Sequence, residues 1–122
     1  ITKMKSNNII QEKSFAFAIR IVNLNKHLIT EKKEFILSKQ LLRSGTSIGA
    51  NVEEAIGAVS DKDFLNKLGI AYKEARESIY WLKLLQATDY ITKEEFESIH
   101  NDAEEICKIL GKIQITMKTR NS

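Results

Sequence analysis

Near the C-terminus, Phe96, Ile99, Ala103, Ile106, Leu110, Ile113 and Met117 recur at alternating steps of three and four. That spacing lays seven apolar side chains along one stripe of an α-helix and cannot be satisfied by a strand, whose faces alternate every second residue. It is a heptad-like seam, the pattern of helices packed near-antiparallel in a bundle. The chain contains no proline, so the main interior helix breaker is missing throughout its 122 residues.

Three further segments carry helical periodicity, and none shows sustained strand alternation. Ile10, Phe17, Ile21, Leu24 and Leu28 define a first helix from about Asn8 to Leu28. Thr30 is the expected cap of a second helix, with Glu31 and Glu34 near its positive end. Leu37, Leu41, Ser44/Gly45, Ile48, Val52, Ala55/Ile56 and Val59 keep that helix in register. Ser60 followed by Asp61 and Asp63 marks the start of a third, with Phe64, Leu68, Ala71, Ala75, Ile79 (or Ser78), Leu82 and Leu85 on its inner face. A stop at Asp89-Tyr90-Ile91 precedes Thr92 and Glu95, a capping box that opens the fourth helix. Short connections between long helices predict an all-α, up-down-up-down four-helix bundle in one domain, residues 1–122, with 1–7 a flexible N-terminal segment. Met4 reads as a natural initiator, which leaves residues 1–3 as an upstream or added extension.

The segment RSGTSIGANVEEAIGA, residues 43–58, holds three of the five glycines, although glycine in a helix interior costs about 1 kcal/mol relative to alanine. Gly45 and Gly49 lack the spacing and the lysine of a phosphate-cradling P-loop. Ser44 and Ser47 have no histidine placed to activate them, since His27 and His100 are far apart in sequence. The small side chains fit a third reading, close approach of a neighbouring helix, with Gly69, Ala71 and Ala75 of the third helix as its expected partner. Asn51, Glu53 and Glu54, with Lys73, Glu74, Arg76, Glu77, Tyr80 and Trp81, sit beside the apolar stripes. They are candidates either for solvated salt bridges or for a polar network between helices or subunits.

Chemistry beyond packing has little support. Cys107 is alone and adjacent to a core position, so it reads as a small apolar residue. Glu97 and His100 form one E-x-x-H element where a di-iron bundle needs two. No metal, cofactor or enzymatic activity is expected. No apolar run approaches the length of a membrane span and no signal peptide is visible, so a cytoplasmic location is the default. The net charge is +3, and residues 1–30 carry five Lys/Arg against Glu12 alone. Lys13, Arg20 and Lys26 are therefore candidate phosphate contacts, with Arg43 as an outlier in the glycine segment.

LRSGTSIGANVEEA followed by SDKDFLNKLGIAYKEARESIYWLKLL resembles the 23S rRNA-intervening sequence protein family, also called the four-helix bundle protein family. Arg43, Ser44, Ser47, Ile48, Asn51, Glu54, Ala55, Phe64, Lys73, Glu74, Glu77, Tyr80, Trp81 and Leu82 fit its pattern. The resemblance implies a small helical bundle assembled as a homopentameric ring. Some members are encoded within bacterial large-subunit ribosomal RNA genes. A related protein is the accessory subunit of diversity-generating retroelements, which binds nucleic acid and a reverse transcriptase. The expected partners are thus further copies of the chain, RNA or DNA, and a nucleic-acid-processing protein; the alternative is a protein-interaction module without a nucleic-acid role.

Overall fold

A computed structural model of the chain describes residues 5–120; of the segment 1–7 expected to be flexible, 1–4 lie outside them and 5–7 form the first turn of a helix. Four helices follow one another: α1 (Lys5–Thr30), α2 (Leu37–Ile56), α3 (Asp61–Ala87) and α4 (Lys93–Arg120). Residue pairs fix their directions. Gln11 bonds Glu53 and Asn25 bonds the Ser38 carbonyl, so α1 and α2 run antiparallel. Arg43 meets Glu77 while Lys67 meets Glu54, which makes α2 and α3 antiparallel. Gly69 faces Gln114, Arg76 faces Glu104, and Lys13 and Arg20 meet Glu105 and Asp102. Those pairs close the square up, down, up, down.

The stripes read from the sequence form the core. Ile10, Phe17, Ile21, Leu28, Leu41, Ile48, Val52, Phe64, Leu68, Leu82, Leu85, Ile106 and Leu110 are all essentially inaccessible. Each such side chain removed from water contributes about 1.5–3 kcal/mol before chain entropy is counted. Val59 is the exception to its stripe: α2 ends at Ile56 and Val59 stands exposed in the following turn.

Helix α2 passes through Gly45 and Gly49 without a break, as its periodicity requires. The neighbour that uses the glycines is α1 rather than α3. A Cβ at Gly45 would lie 2.7 and 2.9 Å from Cγ1 and Cγ2 of the buried Ile21, and one at Gly49 would lie 3.4 Å from the Ser14 carbonyl oxygen. Toward α3 the same helix offers Ser44, whose Oγ accepts a 2.9 Å hydrogen bond from Ser78 Oγ in a fully buried pair. Glycine thus admits α1, and paired hydroxyls admit α3.

The helix ends also divide between expectation and correction. Ser60 Oγ accepts from the Asp63 N–H at 3.0 Å, and Thr92 and Glu95 exchange reciprocal bonds at 2.8 and 3.1 Å. Thr30, however, is the last residue of α1 and its hydroxyl donates back to the Lys26 carbonyl. The cap of α2 is Glu34, whose carboxylate accepts from the N–H groups of Ile36, Leu37 and Ser38. Burial pushes the Glu34 carboxyl upward, but those backbone donors outweigh it and hold it below the usual carboxylate range. Helix α3 ends on Asp89 in the left-handed region (φ 69°), with the Tyr90 N–H bonded to the Leu85 carbonyl and that of Asp89 to Gln86. This is a Schellman stop with a non-glycine residue at its left-handed position.

Three substitutions test these contacts. In urea unfolding, Gly45→Ala is expected to destabilise by about 1–3 kcal/mol through overpacking on Ile21. Gly111→Ala, where nothing lies within 4 Å of an added Cβ, is expected to stabilise by about 0.5–1 kcal/mol through helix propensity. Glu34→Gln should cost about 1 kcal/mol at neutral pH. Because the folded carboxyl lies below its unfolded value near 4.5, the wild-type advantage is fully present above that pH. It should shrink as pH falls further, and an advantage unchanged in acid would contradict the cap.

Candidate functional site

The segment that carries the most specific sequence pattern builds a polar network across α2 and α3. Arg43, half-exposed on α2, places Nη1 3.1 Å from Glu74 Oε2 and Nη2 in hydrogen bond with Glu77 Oε2. The same Glu77 oxygen accepts from Trp81 Nε1 at 2.9 Å. Tyr80 stands against the indole edge-on, its ring centroid 5.0 Å away. Further along the same two helices, Lys67 Nζ reaches Glu54 Oε1 at 2.8 Å, and the Glu54 carboxylate raises the lysine above its ordinary range. Within the chain the network is interhelical: Arg43, Glu74, Glu77 and Trp81 are brought together in the register set by Ser44 and Ser78 beneath, while Glu54 pairs separately with Lys67. Asn51 is spent within its own helix, on the Ser47 carbonyl, and Ser47 in turn bonds the Arg43 carbonyl. Lys73 is exposed and stands outside the network among the described residues.

Three of the four basic candidates are engaged inside the molecule. Lys13 pairs with Glu105 at 2.9 Å, and that hydrogen bond with its carboxylate charge holds the ammonium above the usual lysine range. Arg20 spans α1 to α4, with Nη1 2.7 Å from Asp102 Oδ2 and 3.3 Å from the Ser98 carbonyl, and Nη2 3.0 Å from Ser98 Oγ. Arg43 is held by its two glutamates. A phosphate would have to displace a carboxylate at each of these positions. Lys26 is exposed and makes no ion pair among the described residues.

His100 stacks on Phe96 with centroids 4.9 Å apart and lies 3.5 Å from Glu104. Cys107 is buried, and desolvation raises its thiol, which keeps it protonated near neutral pH. Among the described residues no three His, Cys, Asp or Glu side chains converge as a metal site, and no helix is long and apolar enough to cross a membrane.

Two surfaces went unread in the sequence. The first lies on α1, which has a second apolar face: Phe15 is 68% exposed and Ile19 49%, with Val22 half-buried one turn on. Phe15 and Ala18 border a groove of about 240 Å³ whose other wall is Thr46, Gly49 and Ala50 of α2. Its signal was present in the spacing of Phe15, Ile19 and Val22, masked by the stronger core stripe of the same helix. The second is a cleft of about 630 Å³ between α3 and α4, lined by Tyr72, Arg76, Lys108, Lys112 and Lys118.

Replacing Arg43 and Glu77 singly and together by alanine should give a coupling energy of about 1 kcal/mol or less, given the exposure of the arginine. Tryptophan emission, which reports the Trp81 bond to Glu77, should shift in both single variants.

The 23S rRNA-intervening sequence protein family matches residues 6–112. A crystal structure of a protein of unknown function from the S23 ribosomal protein family of Bacteroides thetaiotaomicron is similar, with 59% identity and a TM-score of 0.89. The similarity covers 89% of this chain and 97% of that one. No curated protein matches.

Proposed function

The chain belongs to the 23S rRNA-intervening sequence protein family, and from that premise we propose that it is a self-associating, non-catalytic helical-bundle module. The observation that carries this reading is the outward apolar face of α1. Phe15 is two-thirds exposed and with Ala18 borders a groove walled by Thr46, Gly49 and Ala50 of α2, while Ile19 stands half-exposed on the same helix. Aromatic and aliphatic side chains beside a bare groove are the composition of an interface centre rather than of a solvated helix. The salt bridges of Lys13, Arg20 and Arg43 support the same reading, because they brace the bundle that presents this face. A closed ring of identical copies, five in the family resemblance, is the assembly proposed.

Contact with nucleic acid is the second reading, as an accessory to a nucleic-acid-processing protein. What favours it is the basic α3–α4 cleft, where four cations face one carboxylate, Glu104.

Sedimentation equilibrium tests the main reading. The wild-type chain is expected at a mass several times 13.9 kDa, five times for a pentamer. Phe15→Glu should sediment as a monomer with its helical circular dichroism unchanged. A wild-type chain that stays monomeric at high micromolar concentration would sink the proposal.

A further inference from the structure

The α3–α4 cleft gathers four cationic side chains, Arg76, Lys108, Lys112 and Lys118, against one carboxylate, Glu104. Lys108, Lys112 and Lys118 lie on its α4 wall, and none of them makes an ion pair among the described residues. From Lys108 the helix rises about 6 Å to Lys112 and about 9 Å more to Lys118, so the charges form a row and not a point. Arg76 faces them from α3, and its contact with Glu104 is loose at 3.9 Å. A row of this length suits a linear polyanion better than a single phosphate.

One feature of the cleft is not explained by the bundle's own packing. Gly111 sits in the middle of α4 between Lys108 and Lys112, at a cost of about 1 kcal/mol, yet an added Cβ there would meet nothing within 4 Å. Gly45 has Ile21 to justify it; Gly111 has open space. Tyr72, half-buried on the α3 wall, supplies an aromatic surface beside the cations. A basic groove that tracks a backbone, with an aromatic ring for stacking and a bare floor for close approach, is the arrangement that holds single-stranded nucleic acid without regard to sequence.

We infer that this cleft binds the phosphodiester backbone of single-stranded nucleic acid, with Arg76, Lys108, Lys112 and Lys118 on successive phosphates, Tyr72 under a base and Gly111 as the floor. The inference rests on the second reading above and places its contacts on α3 and α4, where the sequence pointed to α1.

The test is fluorescence anisotropy of the full chain with a labelled oligouridylate over a salt series. Four phosphate contacts give a slope of log K against log salt of about −3, and Lys108→Glu with Lys112→Glu should roughly halve it and weaken binding by on the order of tenfold or more at low salt. Gly111→Leu fills the floor without changing charge. It should weaken binding several-fold while thermal stability holds or rises, which separates occlusion of the cleft from unfolding. Lys26→Ala, remote on α1, serves as the control and should bind as wild type does. If the wild type binds and the cleft variants bind equally well, the cleft assignment falls and the nucleic-acid reading stands. If the wild type binds no oligonucleotide even at low salt, both fall. Cleft variants that disrupt self-association while leaving oligonucleotide binding intact would assign the surface to a protein contact and overturn the inference.

Discussion

The contact between Ile21 and Gly45 sets the geometry from which the rest of the bundle follows. Ile21 is fully buried on α1, and Gly45 gives it the space that any Cβ on α2 would take. The helix accepts an interior glycine because the tight seam returns dispersion contacts along both helices. Once α1 is seated this deeply, Ser14 lies against Gly49, Gln11 reaches Glu53, and Asn25 reaches the Ser38 carbonyl. Each of those bonds depends on the axial register that the glycine permits.

The same seating determines what α1 shows to solvent. Its core stripe faces inward, its α4 flank carries Lys13 and Arg20 to Glu105 and Asp102, and its remaining face carries Phe15 and Ile19 outward. A helix with apolar residues on two faces satisfies one of them inside its own chain. The other exposes a large aromatic and a β-branched side chain to water, an arrangement that association relieves. On the opposite side of the molecule α3 and α4 line a basic cleft that includes Gly111. The apolar face of α1 and the basic cleft are therefore separate surfaces, and the proposed assembly and anion binding need not compete.

The fold was readable because burial is encoded as spacing. The three-and-four seam of α4, the unbroken register of α2 through its glycines, Ser60 and the Thr92–Glu95 box all correspond to features of the structure. The errors have a common origin in contacts that spacing does not encode. Periodicity showed that α2 has bare positions without saying which neighbour uses which: α3 packs on Ser44 as expected, while Gly45 and Gly49 admit α1. Thr30 has the chemistry of an N-cap, yet α1 runs to it and the longer Glu34 side chain reaches back to the α2 donors. Lys13 and Arg20 looked like free charge in a basic segment, because their partners Glu105 and Asp102 lie more than eighty residues away along the chain. Charge counted along a sequence thus pointed to α1, whereas pairing commits Lys13 and Arg20 and leaves Lys108, Lys112 and Lys118 of α4 among the unpaired cations. Arg43, Glu74, Glu77 and Trp81 were recognisable as a group, and only the fold shows that they join two helices of one chain.

A double-mutant cycle between Ile21 and Gly45 tests the central packing claim most directly. Unfolding free energies would be measured for Gly45→Ala in the wild-type background and again in Ile21→Ala. If the seam is set by that steric contact, the alanine at 45 should lose its penalty once Ile21 is truncated and become neutral or stabilising, a coupling of about 1–3 kcal/mol. Equal effects of Gly45→Ala in the two backgrounds would show that the glycine serves something other than the seating of α1, and the account of the bundle would fail at its base.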